Sequence, residues 1–151
     1  MTDIDFYILT AARDTERERF ACRLTEKIYK LGHSVYVLTE TAEDAARFDS
    51  LLWTFRDGSF IPHEQYSQNG ERRGPTPVLI GHDRDPAVAG GIMINLAREI
   101  PKTFSRFERV AEIIADDEKQ KQAARERFRF YRDRGYPLKT HTISDKTMAA
   151  G

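Results

Sequence analysis

One cysteine, Cys22, in 151 residues excludes an intramolecular disulfide and leaves no thiol cluster to hold a structural zinc, a usage that fits a reducing cytosol. Long apolar runs are missing as well: no stretch approaches the roughly 20 residues a membrane-spanning helix needs. The opening Met1-Thr2-Asp3-Ile4-Asp5 carries acids where a secretory signal needs a basic start and an apolar run. A soluble, cytoplasmic protein is expected. Charge of one sign is also lacking, because 24 basic and 24 acidic side chains cancel, so no global field draws the chain onto nucleic acid. Any anion site must come from local clustering. Internal repeats and low-complexity tracts are absent, and the most polar piece, Glu64 to Thr76 with Gly70, Gly74 and Pro75, reads as a loop.

The fingerprints of common chemistry are missing too. A nucleotide-binding α/β domain needs glycines after its first strand so that backbone N–H groups can approach a pyrophosphate, and here the turn is Thr10-Ala11-Ala12-Arg13-Asp14. No GxxxxGK[ST] occurs, and Gly90-Gly91 reads as a loop before a strand. His33, His63, His82 and His141 are scattered, without an HExxH pair or carboxylates spaced to share a helical face, so neither a metal nor any other cofactor is expected. Cys22 lies one residue off the apolar stripe of the first helix and has no identifiable base, which marks a structural thiol. His82-Asp83 reads as a solvated turn. Nothing argues for an enzyme.

What is present is alternation of strand and helix. Ile4, Phe6 and Ile8 share one face of a strand over residues 3–9. Thr15 and Glu18 have capping-box spacing, and Phe20, Leu24, Ile28 and Leu31 then recur at helical intervals until Gly32. Ser34 to Thr39 is β-rich, and Thr41 with Asp44 restarts a helix bearing Ala45, Phe48 and Leu52 on one face. Phe60-Ile61-Pro62, Val78-Leu79-Ile80 and Ile92-Met93-Ile94 are short apolar runs of the kind that form interior strands, whereas Phe107 to Ile114 fits helix or strand. The pattern predicts a Rossmann-like α/β domain of three layers with a mostly parallel sheet and no nucleotide-binding loop.

The last helix, expected from Asp116 to Arg134, is unusual. Arg125, Phe128, Arg129 and Arg132 stand at i, i+3, i+4 and i+7, three guanidiniums around one aromatic ring. Lys119 to Lys139 holds eight basic residues against Glu126 and Asp133, and within the helix arginine outnumbers lysine five to two. A solvated face laced with weak ion pairs is the ordinary reading of such a helix. The arginine forks suit carboxylate or phosphate, however, and a ligand joining a carboxylate to an apolar ring would match both the cations and Phe128. Nucleic acid would meet the cations with phosphates and could stack a base on Phe128, which makes direct single-strand binding by this basic helix the alternative.

Arg47-Phe48-Asp49-Ser50-Leu51-Leu52-Trp53, Ser59-Phe60-Ile61-Pro62-His63 and Gly74-Pro75-Thr76-Pro77-Val78 together resemble, in order and spacing, the L-D-x-x-L-W, S-F-[IV]-P-H and P-V signature of the chi subunit of bacterial DNA polymerase III. Phe6-Tyr7-Ile8-Leu9 and Lys121 to Phe128 resemble the corresponding family segments, and the resemblance runs from about residue 4 to 138. It implies a Rossmann-like fold without nucleotide binding and a non-catalytic replisome adaptor. One surface would take the acidic, phenylalanine-terminated tail of single-stranded-DNA-binding protein; a second would take the psi subunit, which leads to the clamp loader, and in some bacteria a helicase. By position the tail site implies Ile114, Arg125, Phe128, Arg129 and Arg132, with Gly135 and Tyr136 nearby, and the second site implies Trp53 and Phe60. The domain is expected over residues 1–139, with 140–151 a flexible tail.

Overall fold

The interior strands of this chain are largely apolar on both sides, as strands buried between two helical layers must be. Val35–Leu38, Val78–Gly81 and Ile92–Asn95 are buried at every position. The computed structural model describes residues 1–10, 14–67, 76–88 and 90–144. In chain order the elements are β1 (Asp3–Leu9), α1 (Asp14–Lys30), β2 (Val35–Leu38), α2 (Ala42–Thr54), β3 (His63–Gln65), β4 (Val78–Gly81), β5 (Ile92–Asn95), a 3-10 turn (Phe104–Arg106), β6 (Arg109–Ile114), α3 (Glu118–Asp133) and β7 (Leu138–Ile143).

Among the described residues the strands form one seven-stranded sheet in the order β3-β4-β2-β5-β6-β1-β7. Every pairing is parallel, with Ile4 opposite Val110 on one side and Leu138 on the other. One face is covered by α1 and α2 through Leu24, Ile28, Phe48 and Leu52. The other is covered by α3 and the 3-10 turn, where Phe104, Ala124 and Tyr131 meet Ile4, Phe6 and Val110. No described helix is long and apolar enough to cross a membrane.

Local signals set the helix ends. Thr41 accepts a hydrogen bond from the Asp44 amide at 3.1 Å and caps α2, and Asp117 accepts one from the Lys119 amide at 3.1 Å and caps α3. Gly135, at φ +79°, ends α3 in the left-handed conformation that favours glycine. Cys22 is fully buried, and desolvation pushes its thiol pKa well up.

Two expectations change and one open choice closes. Phe60-Ile61-Pro62 is not a strand: β3 begins at His63, past a proline that has no N–H to give a ladder, and only Ile61 of the run is buried. Within Phe107 to Ile114, which fitted helix or strand, Arg109–Ile114 form β6, held between β1 and β5. Residues 140–143 belong to the sheet, since β7 carries the ordered fold past the boundary expected at 139. Residues 145–151, most of the loop Glu64 to Thr76 (68–75), and Ala11 to Arg13 of the first turn lie outside the described residues.

Candidate functional site

The carboxyl ends of β2, β5 and β6 open on a cavity of about 350 Å³, in the position where α/β sheets commonly hold ligands. Here the chain's own side chains occupy the polar groups. Arg17, from α1, donates to the Ile113 carbonyl at 2.8 Å and to the Leu96 carbonyl at 3.1 Å. Arg47 pairs with Glu18 and Asp44, and Glu40 accepts from the Arg98 amide and from Arg84, each at 3.0 Å. Among the described residues no group of three or more His, Cys, Asp or Glu is placed to hold a metal ion.

Behind this crevice lies a buried polar cluster that the sequence reading did not find. Glu112, fully buried in β6, accepts from Arg127 Nε at 3.0 Å, from the Tyr131 hydroxyl at 2.8 Å and from Asn95 Nδ2 at 3.1 Å. Arg127 also donates to the Arg98 carbonyl at 2.8 Å. Burial first, and then the Glu112 carboxylate, raises the Tyr131 pKa. The buried stripe of α3 is thus Ala124, Arg127 and Tyr131, and Arg127 faces the sheet although it had counted as part of the cationic surface. The signal was a glutamate inside the apolar β6 sequence, which demands a cationic or hydroxyl partner.

The second cavity, about 300 Å³, lies between α3 and the β1–β7 side of the sheet. Phe6, Ile8, Ile114, Ala124 and Phe128 form its apolar wall, Thr140 lines it from β7, and Lys121 and Arg125 complete it. Phe128 is half-buried and meets the edge of Phe6 with ring centroids 5.4 Å apart, so its ring is a wall of the hollow rather than a free surface group. Arg125 is exposed and reaches the Gln122 side chain at 3.3 Å. Lys121 pairs with Asp116, whose carboxylate holds the ammonium pKa up.

Of the expected tail-site residues, the fold therefore brings Ile114, Arg125 and Phe128 together. Arg129 and Arg132 are exposed farther along α3, with Arg132 3.3 Å from Asp133. Gly135 and Tyr136 sit at the helix end, where the Tyr136 amide donates to the Tyr131 carbonyl at 3.1 Å and its ring meets the edge of Phe104 at 5.0 Å. They do not line the hollow. Lys121 and Thr140 do, and were not singled out as site residues.

At the amino-terminal end of the sheet, Trp53 and Phe60 are 52% and 82% exposed, which places both on the surface. Trp53 leans on His63, with ring centroids 4.3 Å apart. The turn between them is tied to α1: Ser59 donates to Glu26, and Arg56 pairs with the same carboxylate at 2.8 Å. Phe60 is held outward while its neighbour Ile61 is buried.

Seven parallel strands with helices on both faces define a Rossmann-like α/β domain. Its likeness to phage T4 UvsW, at a TM-score of 0.66 and 8% identity over 95% of this chain and 42% of that one, is one of fold alone. The particular family is set by sequence: the model for the DNA polymerase III chi subunit, HolC, matches residues 1–139, and the chain belongs to that family of replication subunits. It is 38% identical over 143 residues to DNA polymerase III subunit chi of Pseudomonas aeruginosa, covering 95% of this chain and 98% of that protein. The chi subunits of Haemophilus influenzae and Escherichia coli are 31% and 27% identical, with 91% and 94% of this chain and 95% and 99% of theirs covered.

Proposed function

We propose that this protein is a non-catalytic adaptor of the replisome, which binds the acidic C-terminal tail of single-stranded-DNA-binding protein and links it to the clamp loader. The observation that carries the reading is the apolar hollow of about 300 Å³ with Lys121 and Arg125 beside it. A phenylalanine ring fits such a wall, and burying it is worth about 1.5–3 kcal/mol. A terminal carboxylate fits Arg125, as a charge-assisted hydrogen bond of similar worth. Arg129 and Arg132 would act on upstream acids through their field. The exposed Trp53 and Phe60 support a second surface for psi, for another clamp-loader component, or for a helicase.

Direct binding of single-stranded nucleic acid by the basic helix is less well supported. Arg127 is buried against Glu112, Lys121 and Arg132 have acidic neighbours, and Phe128 presents a wall rather than a stacking platform. Fluorescence anisotropy with two probes separates the readings. A labelled acidic peptide ending in phenylalanine should saturate the protein, while a labelled oligonucleotide without partner protein should not. Tight oligonucleotide binding that falls steeply with salt, with no peptide binding, would reverse the assignment.

A further inference from the structure

The hollow is open along a sheet edge. β7 pairs with β1 on one side, and among the described residues no strand pairs with its other side. The Ile4 amide donates to the Pro137 carbonyl and the Thr10 amide to the Ile143 carbonyl, both at 2.9 Å, so the odd-numbered residues of β7 turn their backbone groups toward β1. The N–H and C=O groups of Leu138, Thr140 and Thr142 consequently point to the open edge. The even-numbered side chains share the α3 face, where Phe6, Ile8 and Thr140 all line the hollow. An unpaired edge, an apolar cavity and cations thus lie side by side.

We propose that β7 receives the partner segment as an added eighth strand, the segment being acidic, extended and ended by an apolar ring. An added strand lies about 4.8 Å from β7 and sends alternate side chains to opposite faces. Those on the α3 face enter the hollow beside Phe128 and Ile114 under Arg125 and Lys121, and those on the other face run past Lys139 and His141. The charge is complementary on the first face through Arg125 and on the second through exposed Lys139. His141 is engaged there with Asp5 at 3.0 Å, and Asp5 is itself paired with Arg109, which leaves that acid compensated. Main-chain hydrogen bonds then supply affinity along the segment, and the hollow fixes its register. This mode rests on the tail-binding reading above and adds how the tail is held.

The test uses the full chain and a labelled acidic peptide ending in phenylalanine, prepared as a series with one backbone nitrogen methylated at a time. Strand addition predicts that affinity falls about threefold to tenfold at every second position and little in between, the loss of one hydrogen bond each time. Amide exchange at Leu138, Thr140 and Thr142 should slow on binding. Thr140→Pro removes an outward N–H without touching the ladder to β1, so the variant should fold and bind about as weakly as the methylated peptides; if it does not fold, the peptide series and the exchange rates decide on the unaltered protein. Binding that Arg125→Glu weakens, but with no alternation along the series and no protection of the three amides, would overturn strand addition and leave the tail site standing. No binding of the peptide at all would overturn both.

Discussion

Arg127 donates to Glu112 at 3.0 Å across the interface between α3 and β6, and both side chains are buried. A carboxylate removed from water is tolerated there because three donors meet it, from Arg127, Tyr131 and Asn95. The pair also sets the rotation of α3. With Arg127 and Tyr131 turned to the sheet, Phe128 falls on the β1 side and Arg125 stands beside the hollow.

Removing one partner should leave an uncompensated charge. Arg127→Ala is predicted to destabilise the fold by about 3–5 kcal/mol, whereas Arg129→Ala, at an exposed position on the solvent side of α3, should change stability by less than about 0.5 kcal/mol. Urea denaturation checks both, and equal effects would contradict this division of α3 into a structural and a free face.

Stability should fall in alkaline solution. Burial raises the pKa of Cys22, and burial first, followed by nearby acidic groups, raises those of Tyr36 and Tyr131. Each group is therefore more readily ionised in the unfolded chain. Its contribution is fully present below the unfolded pKa, about 8.5 for the thiol and 10 for the phenols, and is lost as pH rises toward the higher folded value. Between about pH 8.5 and 9.5 the thiol contributes most, with a slope that rises toward about 1.4 kcal/mol per pH unit, and the phenols begin to add to it at the upper end. Denaturation curves for the natural protein should show this slope and curves for Cys22→Ala should lose it.

Trp53 and Phe60 are predicted to serve recognition rather than stability. Phe60→Ala should leave Tm nearly unchanged, because a ring 82% exposed contributes little burial, and should weaken capture of psi or of a helicase. A large loss of Tm would assign the ring to packing.

Nucleotide should not bind usefully at the carboxyl end of the sheet, where Arg17 already caps the Leu96 and Ile113 carbonyls and Glu40 is held by Arg84 and the Arg98 amide. Calorimetry with ATP and NAD checks this, and saturable micromolar binding of either would contradict it.

How much of this was legible in the sequence depended on how local the cause was. The cap at Thr41 and the stop at Gly135 could be read directly, since each acts within a few residues. The face of α3 bearing Arg125, Phe128, Arg129 and Arg132 was read as a cationic surface, and its three arginines are exposed. Arg127 had counted among the surface cations, but it is buried with Ala124 and Tyr131, held there by a glutamate in a separate strand. The strand β7 was missed because its alternation of Lys139, Thr140, His141 and Thr142 is polar, as an edge strand permits, and its pairing with β1 spans more than 130 residues. The family resemblance supplied Ile114, Arg125 and Phe128 as neighbours. Lys121 and Thr140 joined them only once α3 and β7 were placed in space.

The hollow beside Phe128 and Arg125 is proposed to hold the end of an acidic tail. Anisotropy with two labelled peptides, identical except that one lacks the terminal phenylalanine, tests it most directly, with Arg125→Glu as the matched protein variant. The truncated peptide should bind at least about tenfold more weakly, Arg125→Glu should weaken the intact peptide by a similar factor or more, and part of the affinity should survive high salt because the ring is buried. Equal binding of the two peptides, or affinity untouched by Arg125→Glu, would contradict it.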